Sequence, residues 1–337
     1  MNTDKKECLL CGRDAQCVEQ NYPGYQEPDI FFIYNCVYCN TQFSYPRVEA
    51  RHIYEMIYEK AETVPGYNRY YEYKNKVKTV ENPLQYLASA EEAYWVIDNA
   101  LKQDIEKNDL KILECGCGMG YLTYSLHKAG FNVIGLDISQ NAVNEATENF
   151  GELYVCANIF EYAMEHKEEY DRIILTQVIE HIEEPIKWLE TLLIMLKKGG
   201  KIILSTENKT IYPKNAIWQS DLPPIHIWWF SEKSFKYIAN KINASIKFTD
   251  FSKYISDSKS IGIGKVPYNQ HRFDKNGNVV VTTHAPVKQN NSKSLLRRLQ
   301  EKIPFISYIY RKFWKHYIFF GKRRWVMGVI LEKRNLI

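Results

Sequence analysis

Three groups of residues in this chain have the types and spacing for chemistry. Cys8 and Cys11 stand in CLLC, and Cys36 and Cys39 in CVYC, with residues 12–35 between the two C-x2-C pairs. Two such knuckles bring four thiolates to the corners of a tetrahedron, the arrangement a structural Zn²⁺ takes, and an all-cysteine set leaves no open catalytic position. Four unrelated buried cysteines are the plain alternative, which two pairs in so short a window disfavour. The second group is ILECGCGMGYLT, Ile112–Thr123, where Gly116, Gly118 and Gly120 alternate with Cys115, Cys117 and Met119 after an apolar run. Such a loop can serve metal or redox chemistry, cradle a phosphate, or cradle a ligand without phosphate. The third group is imidazole: His226 in SDLPPIHIWWFSEKS and His181, beside Glu180, in QVIEHI. Histidine is the natural base near neutral pH, although a lone histidine is as often a structural residue bonded to backbone.

The elements that must position these groups follow from pattern. KILEC, NVIGLD, LYVCAN, DRIILT and KIILSTE are short apolar runs bounded by turn or polar residues, and YLTYSLHKAG, NAVNEATENF and IKWLETLLIMLKKGG between them read as helices. This alternation predicts an α/β fold built on a doubly wound parallel sheet, whose ligands sit at the carboxyl ends of the strands. FSEKSFKYIANKI is a further helix, SIKFTDFSKY a sixth strand and WVMGVILEK a seventh. DIFFIYNC before the second knuckle has the composition of a ribbon strand. PGYNRYYEYKN is predicted as a loop, and PLQYLASAEEAYWVIDNAL from Pro83 as one helix.

The glycine loop follows a strand and opens a helix, the context of a cofactor cradle. Its spacing is G-x-G-x-G, with Tyr121 where a dinucleotide fingerprint has its third glycine, and the G-K-[ST] of a phosphate loop is absent. Glu114 sets an anionic group beside the ligand, which disfavours a pyrophosphate and favours an ammonium or sulfonium. Over about Leu110 to Ser252 the chain resembles class I S-adenosylmethionine-dependent methyltransferases. The resemblance implies a seven-stranded Rossmann-like sheet and S-adenosylmethionine as cofactor. Gly116, Gly118 and Gly120 would let the backbone approach its methionine part. Asp137, with Ile138 beside it, would hold both ribose hydroxyls. Asn158 would take the adenine amino group with Ile159 adjacent, and Gln177 would close the site after the fourth strand. QVIEHI also resembles the E-x-x-E-H run of metal-assisted O-methyltransferases of ubiquinone biosynthesis and small-RNA methylation. There Glu180, His181 and His226 would hold a divalent ion, but Gln177 replaces the first Glu of that run.

The ribbon, the tyrosine-rich segment behind it and PPIH resemble bacterial methyltransferases of surface-polysaccharide, nucleotide-sugar and secondary-metabolite pathways. That likeness implies a small-molecule, sugar-containing acceptor, with His226 as base and with Trp228, Trp229, Phe230, Tyr67, Tyr70 and Tyr71 around it. Composition bounds the rest. The chain has 337 residues, 25% charged and 45% hydrophobic, an ordinary globular balance, and a net charge of +4 that is too small to argue for nucleic acid. Lys293–Arg324 concentrates ten Lys or Arg with one Glu among aromatics. This tract suits a helical cap, an anionic membrane surface or, third, RNA. MNTDKKECLL shows no apolar leader and no long apolar run follows, so a cytoplasmic, reducing setting is expected for the eight cysteines.

The expected organisation is a zinc ribbon at 1–45, a tyrosine-rich linker and helical cap at 46–108, and the cofactor-binding core at 109–255. A basic aromatic insertion at 256–324 and a last strand and tail at 325–337 complete it. A methyltransferase of sugar acceptors is the leading expectation. An RNA methyltransferase gripping its strand with ribbon and basic tract, or a non-catalytic scaffold, are the alternatives.

Overall fold

The structure, a computed structural model, describes residues 4–102, 110–211, 222–254, 271–280 and 323–334. Most of the basic aromatic tract at 293–324, with its cap, membrane and RNA readings, lies outside the described residues; Arg323 and Arg324 lie within them. Among the described residues no helix is long and apolar enough to cross a membrane.

The chain opens with four antiparallel strands, β1 (Lys5–Glu7), β2 (Asp14–Pro23), β3 (Ile30–Cys36) and β4 (Gln42–Tyr45). Helices α1 (Arg51–Glu59), α2 (Asn68–Lys76), α3 (Pro83–Ala90) and α4 (Glu92–Leu101) follow. The alternating core then runs β5 (Lys111–Cys115), α5 (Tyr121–Lys128), β6 (Asn132–Asp137), α6 (Gln140–Phe150), β7 (Tyr154–Cys156), α7 (Ile159–Glu165), β8 (Tyr170–Thr176), α8 (Pro185–Met195) and β9 (Leu196–Glu207). Last come β10 (Trp228–Trp229), α9 (Glu232–Lys241), β11 (Ala244–Phe248) and β12 (Val326–Lys333).

The seven-stranded sheet has the order β11-β12-β9-β8-β5-β6-β7. β5 to β9 pair in parallel, and β12 runs antiparallel to both β9 and β11. Every core strand expected from the sequence is present. Chain order reverses between β5 and β8, so the carboxyl ends of these neighbours form the crevice where open α/β sheets bind ligands. Apolar residues cover both faces because parallel strands are buried on both sides. Trp188, Leu189 and Leu192 of α8 and Phe235 and Ile238 of α9 pack on one face; Leu87 of α3, Val96 and Ile97 of α4 and Leu126 of α5 pack on the other.

Three local expectations are corrected. Residues 68–76, expected as loop, form α2, whose Tyr73 contacts Tyr86, Tyr94 and Tyr121 edge-on; this packing outweighs poor local propensity. The single helix expected from Pro83 breaks at Glu91, which is extended at φ −138°, ψ 146°. Its carboxylate takes Arg69 Nε at 2.6 Å and the Tyr73 hydroxyl at 2.9 Å, partners that a continuous helix would not bring together. The third correction concerns Trp228 and Trp229. They do not wall an open pocket. They are 1% and 2% exposed and form the fifth strand of the N-terminal sheet, Trp228 opposite Phe43 and Trp229 opposite Gln42.

Candidate active site

The glycine loop leaves β5 with Gly116, Gly118 and Gly120 all at positive φ. A Cβ on Gly116 would lie 2.7 Å from Val178 Cγ2, so the loop presses against the segment after β8. Gly120 opens α5 at φ +78°, and a Cβ there would meet Ala146 Cβ at 2.6 Å and the Tyr154 ring at 2.7 Å. Neither neighbour is a flexible chain end. Gly120→Ala should therefore cost about 2–3 kcal/mol from strain and overpacking. Gly151→Ala, also at positive φ but with nothing within 4 Å, should cost about 1 kcal/mol. Thermal melts of both variants check this; equal losses would refute the packing argument.

Asp137 ends β6 beside the loop. Its Oδ2 accepts the Gly118 N–H at 2.8 Å and its Oδ1 the Ser139 N–H at 2.9 Å. Burial pushes its carboxyl above the usual range, against these two bonds. Ile138 is 72% exposed, a bare apolar ledge next to that carboxylate. Asn158 caps α7 by accepting the Phe160 N–H at 2.9 Å, while the Ile159 side chain is buried in the core with Ala163 and Tyr170. From above, α1 brings the Tyr58 hydroxyl to 3.6 Å from where a Gly118 Cβ would be. Side-chain-free backbone, a carboxylate with lone pairs to spare and an apolar shelf fit a nucleoside such as S-adenosylmethionine carries.

Glu114 does not offer an open charge. It is buried, and its carboxylate accepts the Thr123 hydroxyl, tying the end of β5 to α5. Burial pushes its carboxyl up to about 8 from 4.5. The folded chain thus holds a proton that the unfolded chain has released. The stability from this group is complete below about pH 4.5 and is lost as pH rises towards 8, by at most about 1.4 kcal/mol per pH unit. In cofactor-free protein Glu114→Gln should flatten that part of the stability profile, read from urea unfolding at pH 5, 6.5 and 8. Parallel profiles for the two proteins would show that Glu114 is not protonated there.

The opposite wall rises from the ends of β8 and β9. Gln177 adopts φ 55°, and its amide nitrogen, oriented towards the acids, donates to Glu180 Oε1 at 3.1 Å and Glu207 Oε1 at 2.7 Å. The other Glu180 oxygen accepts the Thr206 hydroxyl at 2.9 Å. His181 Nδ1 lies 2.7 Å from the Ile225 carbonyl, which makes Nδ1 the protonated nitrogen and leaves Nε2 with a lone pair. The His226 ring stands 4.5 Å from that of His181, nearly perpendicular to it. His226 Nδ1 has no hydrogen-bond partner and lies 4.0 Å from Glu207 Oε2. Burial, helped by the nearby Arg69 guanidinium, lowers its pKa to about 3, so the ring is neutral at physiological pH.

Ligand atoms of Glu180, His181 and His226 lie within 4.8 Å of one another. One carboxylate and two imidazoles suit a divalent transition ion, although Gln177 puts an amide donor where a further anionic ligand would stand. Tyr54 meets His181 edge-on, and Tyr67 and Tyr70 pack against each other beside Arg69, whose Nη2 donates to the Tyr70 hydroxyl. Tyr71 turns away from this cluster and stacks under Lys74, which pairs with Glu145. Glu207, Thr206, Arg69, Tyr54 and Tyr58 were not singled out in the sequence. Of these only Glu207 carries a signal, its place at a strand end in KIILSTE.

The four knuckle cysteines form the second centre. Cys8 and Cys39 sulfurs are 3.7 Å apart, Cys11 and Cys36 sulfurs 3.6 Å, and all four lie within 4.8 Å. Four Zn–S bonds of about 2.3 Å make a tetrahedron with edges of roughly 3.8 Å, so the thiols fit the ion. Hydrogen bonds from Cys8 and Thr41 favour the Cys39 thiolate, while the hydrogen bond to Cys39, together with burial, holds the Cys8 thiol protonated until a cation replaces its proton.

Residues 86–246 match a family model described as a methyltransferase domain. The chain is 34% identical over 106 residues to a ubiquinone biosynthesis O-methyltransferase of Aliivibrio fischeri, which is 30% of this chain and 45% of that protein. It is 33% identical over 116 residues to the mitochondrial ubiquinone biosynthesis O-methyltransferase of Dictyostelium discoideum, 30% of this chain and 36% of that one. The chain thus spans less than half the length of either relative. A solved S-adenosylmethionine-dependent methyltransferase from Archaeoglobus fulgidus is 16% identical, with a TM-score of 0.43 over 71% of this chain and 94% of that one.

Proposed function

We propose, on the premise that residues 86–246 are a methyltransferase domain of the class I S-adenosylmethionine-dependent family, that the chain methylates a sugar or nucleotide-linked sugar. The observation that carries this reading is His226, a neutral imidazole without a partner on Nδ1, set between the His181 ring and Glu207 at the end of β9. The cofactor, when bound, supplies an electrophilic methyl on a sulfonium.

The chain's own residues do the rest. Asp137 fixes the ribose, and the glycine loop admits the amino acid part. Ile138 and Asn158 flank the adenine, while Gln177 stands between the cofactor and acceptor sides. His226 turns Nδ1–H towards Glu207 and takes the acceptor proton at Nε2 as the nucleophile attacks in line with the departing sulfur. Tyr54, Tyr67 and Tyr70 give a sugar ring apolar faces, and Glu180 and Glu207 give its hydroxyls acceptors, the mix of aromatic walls and few polar groups that small-molecule sites use. The four-cysteine ribbon holds structural zinc.

Methyl transfer from labelled S-adenosylmethionine to a panel of nucleotide sugars tests the proposal, with catechols as comparison. A second reading rests on the Glu180, His181 and His226 cluster. It is metal-assisted O-methylation of a phenol-like acceptor, the class named for the relatives above. Catechol turnover abolished by chelator and restored by a divalent ion would favour it over the sugar reading.

A further inference from the structure

The N-terminal sheet meets α9, which packs on the seven-stranded sheet, through its second cysteine knuckle. Thr41 Oγ1 donates to Ser234 Oγ at 2.7 Å, and Ser234 Oγ donates to the Cys39 carbonyl at 3.2 Å. Gln42 and Phe43 pair with Trp229 and Trp228. The Ile227 carbonyl accepts the Ser44 N–H at 3.2 Å and Arg47 Nη1 at 3.1 Å. His226 is therefore held between backbone groups that answer to the ribbon on one side and to Glu180 and His181 on the other.

Lys209 is the unusual member of this junction. It lies just past β9 and is only 2% exposed. Its Nζ donates to Asn40 Oδ1 at 2.8 Å, and its backbone N–H donates to the Phe230 carbonyl at 2.9 Å. Asn40 follows Cys39 directly and is turned to φ 57° to present that oxygen. A buried ammonium is costly unless an anion balances it, and an amide oxygen carries no charge. Burial pulls the Lys209 ammonium down to about 8, and the Cys39 sulfur works against that shift, favouring the charged lysine. Four thiolates around a divalent ion carry a net charge of −2, which is itself costly to bury without a counter-charge.

We propose that Lys209 is the counter-charge of the metal–tetrathiolate centre and joins it to the strand bearing Trp228 and Trp229, so that metal in the ribbon positions His226. Lys209 is thus a positioning residue that touches neither cofactor nor acceptor. The proposal rests on reading the ribbon as a zinc site and His226 as part of the acceptor side.

The test uses the zinc-loaded full-length protein. Zinc affinity is measured by competition with a chromogenic chelator for wild type, Lys209→Met and Lys209→Arg. Lys209→Met should hold zinc at least about tenfold more weakly, and Lys209→Arg should stay near wild type. Equal affinity for Lys209→Met overturns the counter-charge. Should that variant fail to fold, hydrogen exchange of wild type before and after zinc removal decides. Exchange at 225–231 should quicken at least about tenfold while 112–120 is unchanged and S-adenosylhomocysteine still binds. Unchanged exchange at 225–231, or equal acceleration of both segments, overturns the link to His226. A chain that takes up no zinc overturns the ribbon reading and this proposal with it, whereas failure of S-adenosylhomocysteine binding by zinc-loaded wild type strikes the proposed function alone.

Discussion

Asp137→Ala should weaken S-adenosylhomocysteine binding by about 100-fold or more in isothermal titration. The carboxylate stands at the end of β6 with lone pairs beyond those taken by the Gly118 and Ser139 N–H groups. Two charge-assisted bonds to a ribose diol are worth about 1.5–3 kcal/mol each, and about 1.4 kcal/mol is a factor of ten. Removing the carboxylate also strands the Gly118 N–H and loosens the loop, which adds to the loss. Asp137→Asn keeps the shape and one acceptor and should fall between, near tenfold. Affinity within threefold of wild type for the alanine variant would mean that the ribose is held elsewhere.

His226→Ala should lower kcat by about 10²-fold, the low end for a positioned base because a pKa near 3 makes the ring a weak one, and leave cofactor affinity within about twofold. The pH profile carries its own signature. A ring whose pKa is lowered to about 3 is in its basic form across pH 5–8, so His226 contributes no acid limb to kcat/KM in that range. Because the folded pKa lies below the unfolded one, stability linked to this group is present above about 6.5 and is lost as pH falls towards 3. His181→Ala should cost far less, since in this reading the proton goes to His226 and His181 only packs against that ring, 4.5 Å away. If instead Glu180→Gln, His181→Ala and His226→Ala fail equally and a chelator stops the wild type, the imidazoles hold a metal and His226 is not the base.

The parts of the fold that rest on local pattern were legible in the sequence. Alternation between short apolar runs and helical stretches placed the core strands, and C-x2-C spacing placed the four thiols that the structure gathers. Asp137 and Gln177 came from the resemblance to class I methyltransferases, which sets such residues at strand ends of an open sheet. What escaped was set by distant contacts. Nothing near Glu91 announces that Arg69 and Tyr73 will break the helix there, and nothing in IHIWWF announces a partner strand near residue 43. Glu114 was read as an open charge because it stands just before the glycine loop; its partner, Thr123, lies in the first turn of α5. Nothing in STENKTIY marks Lys209 as buried, since burial is a property of the assembled molecule.

The pairing of β10 with β4 bears on how the chain is made. The ribosome finishes β4 early, then must deliver α1 to α8 and five strands of the larger sheet before Trp228 emerges to cover the waiting edge. Until then the Phe43 ring has no Trp228 to pack against, and one row of backbone groups on β4 stays unpaired, the kind of edge that recruits other chains. The ribbon, made before the larger sheet, is completed only after most of that sheet. Exchanging acceptor segments between such proteins should accordingly fail unless ribbon and acceptor strand travel together.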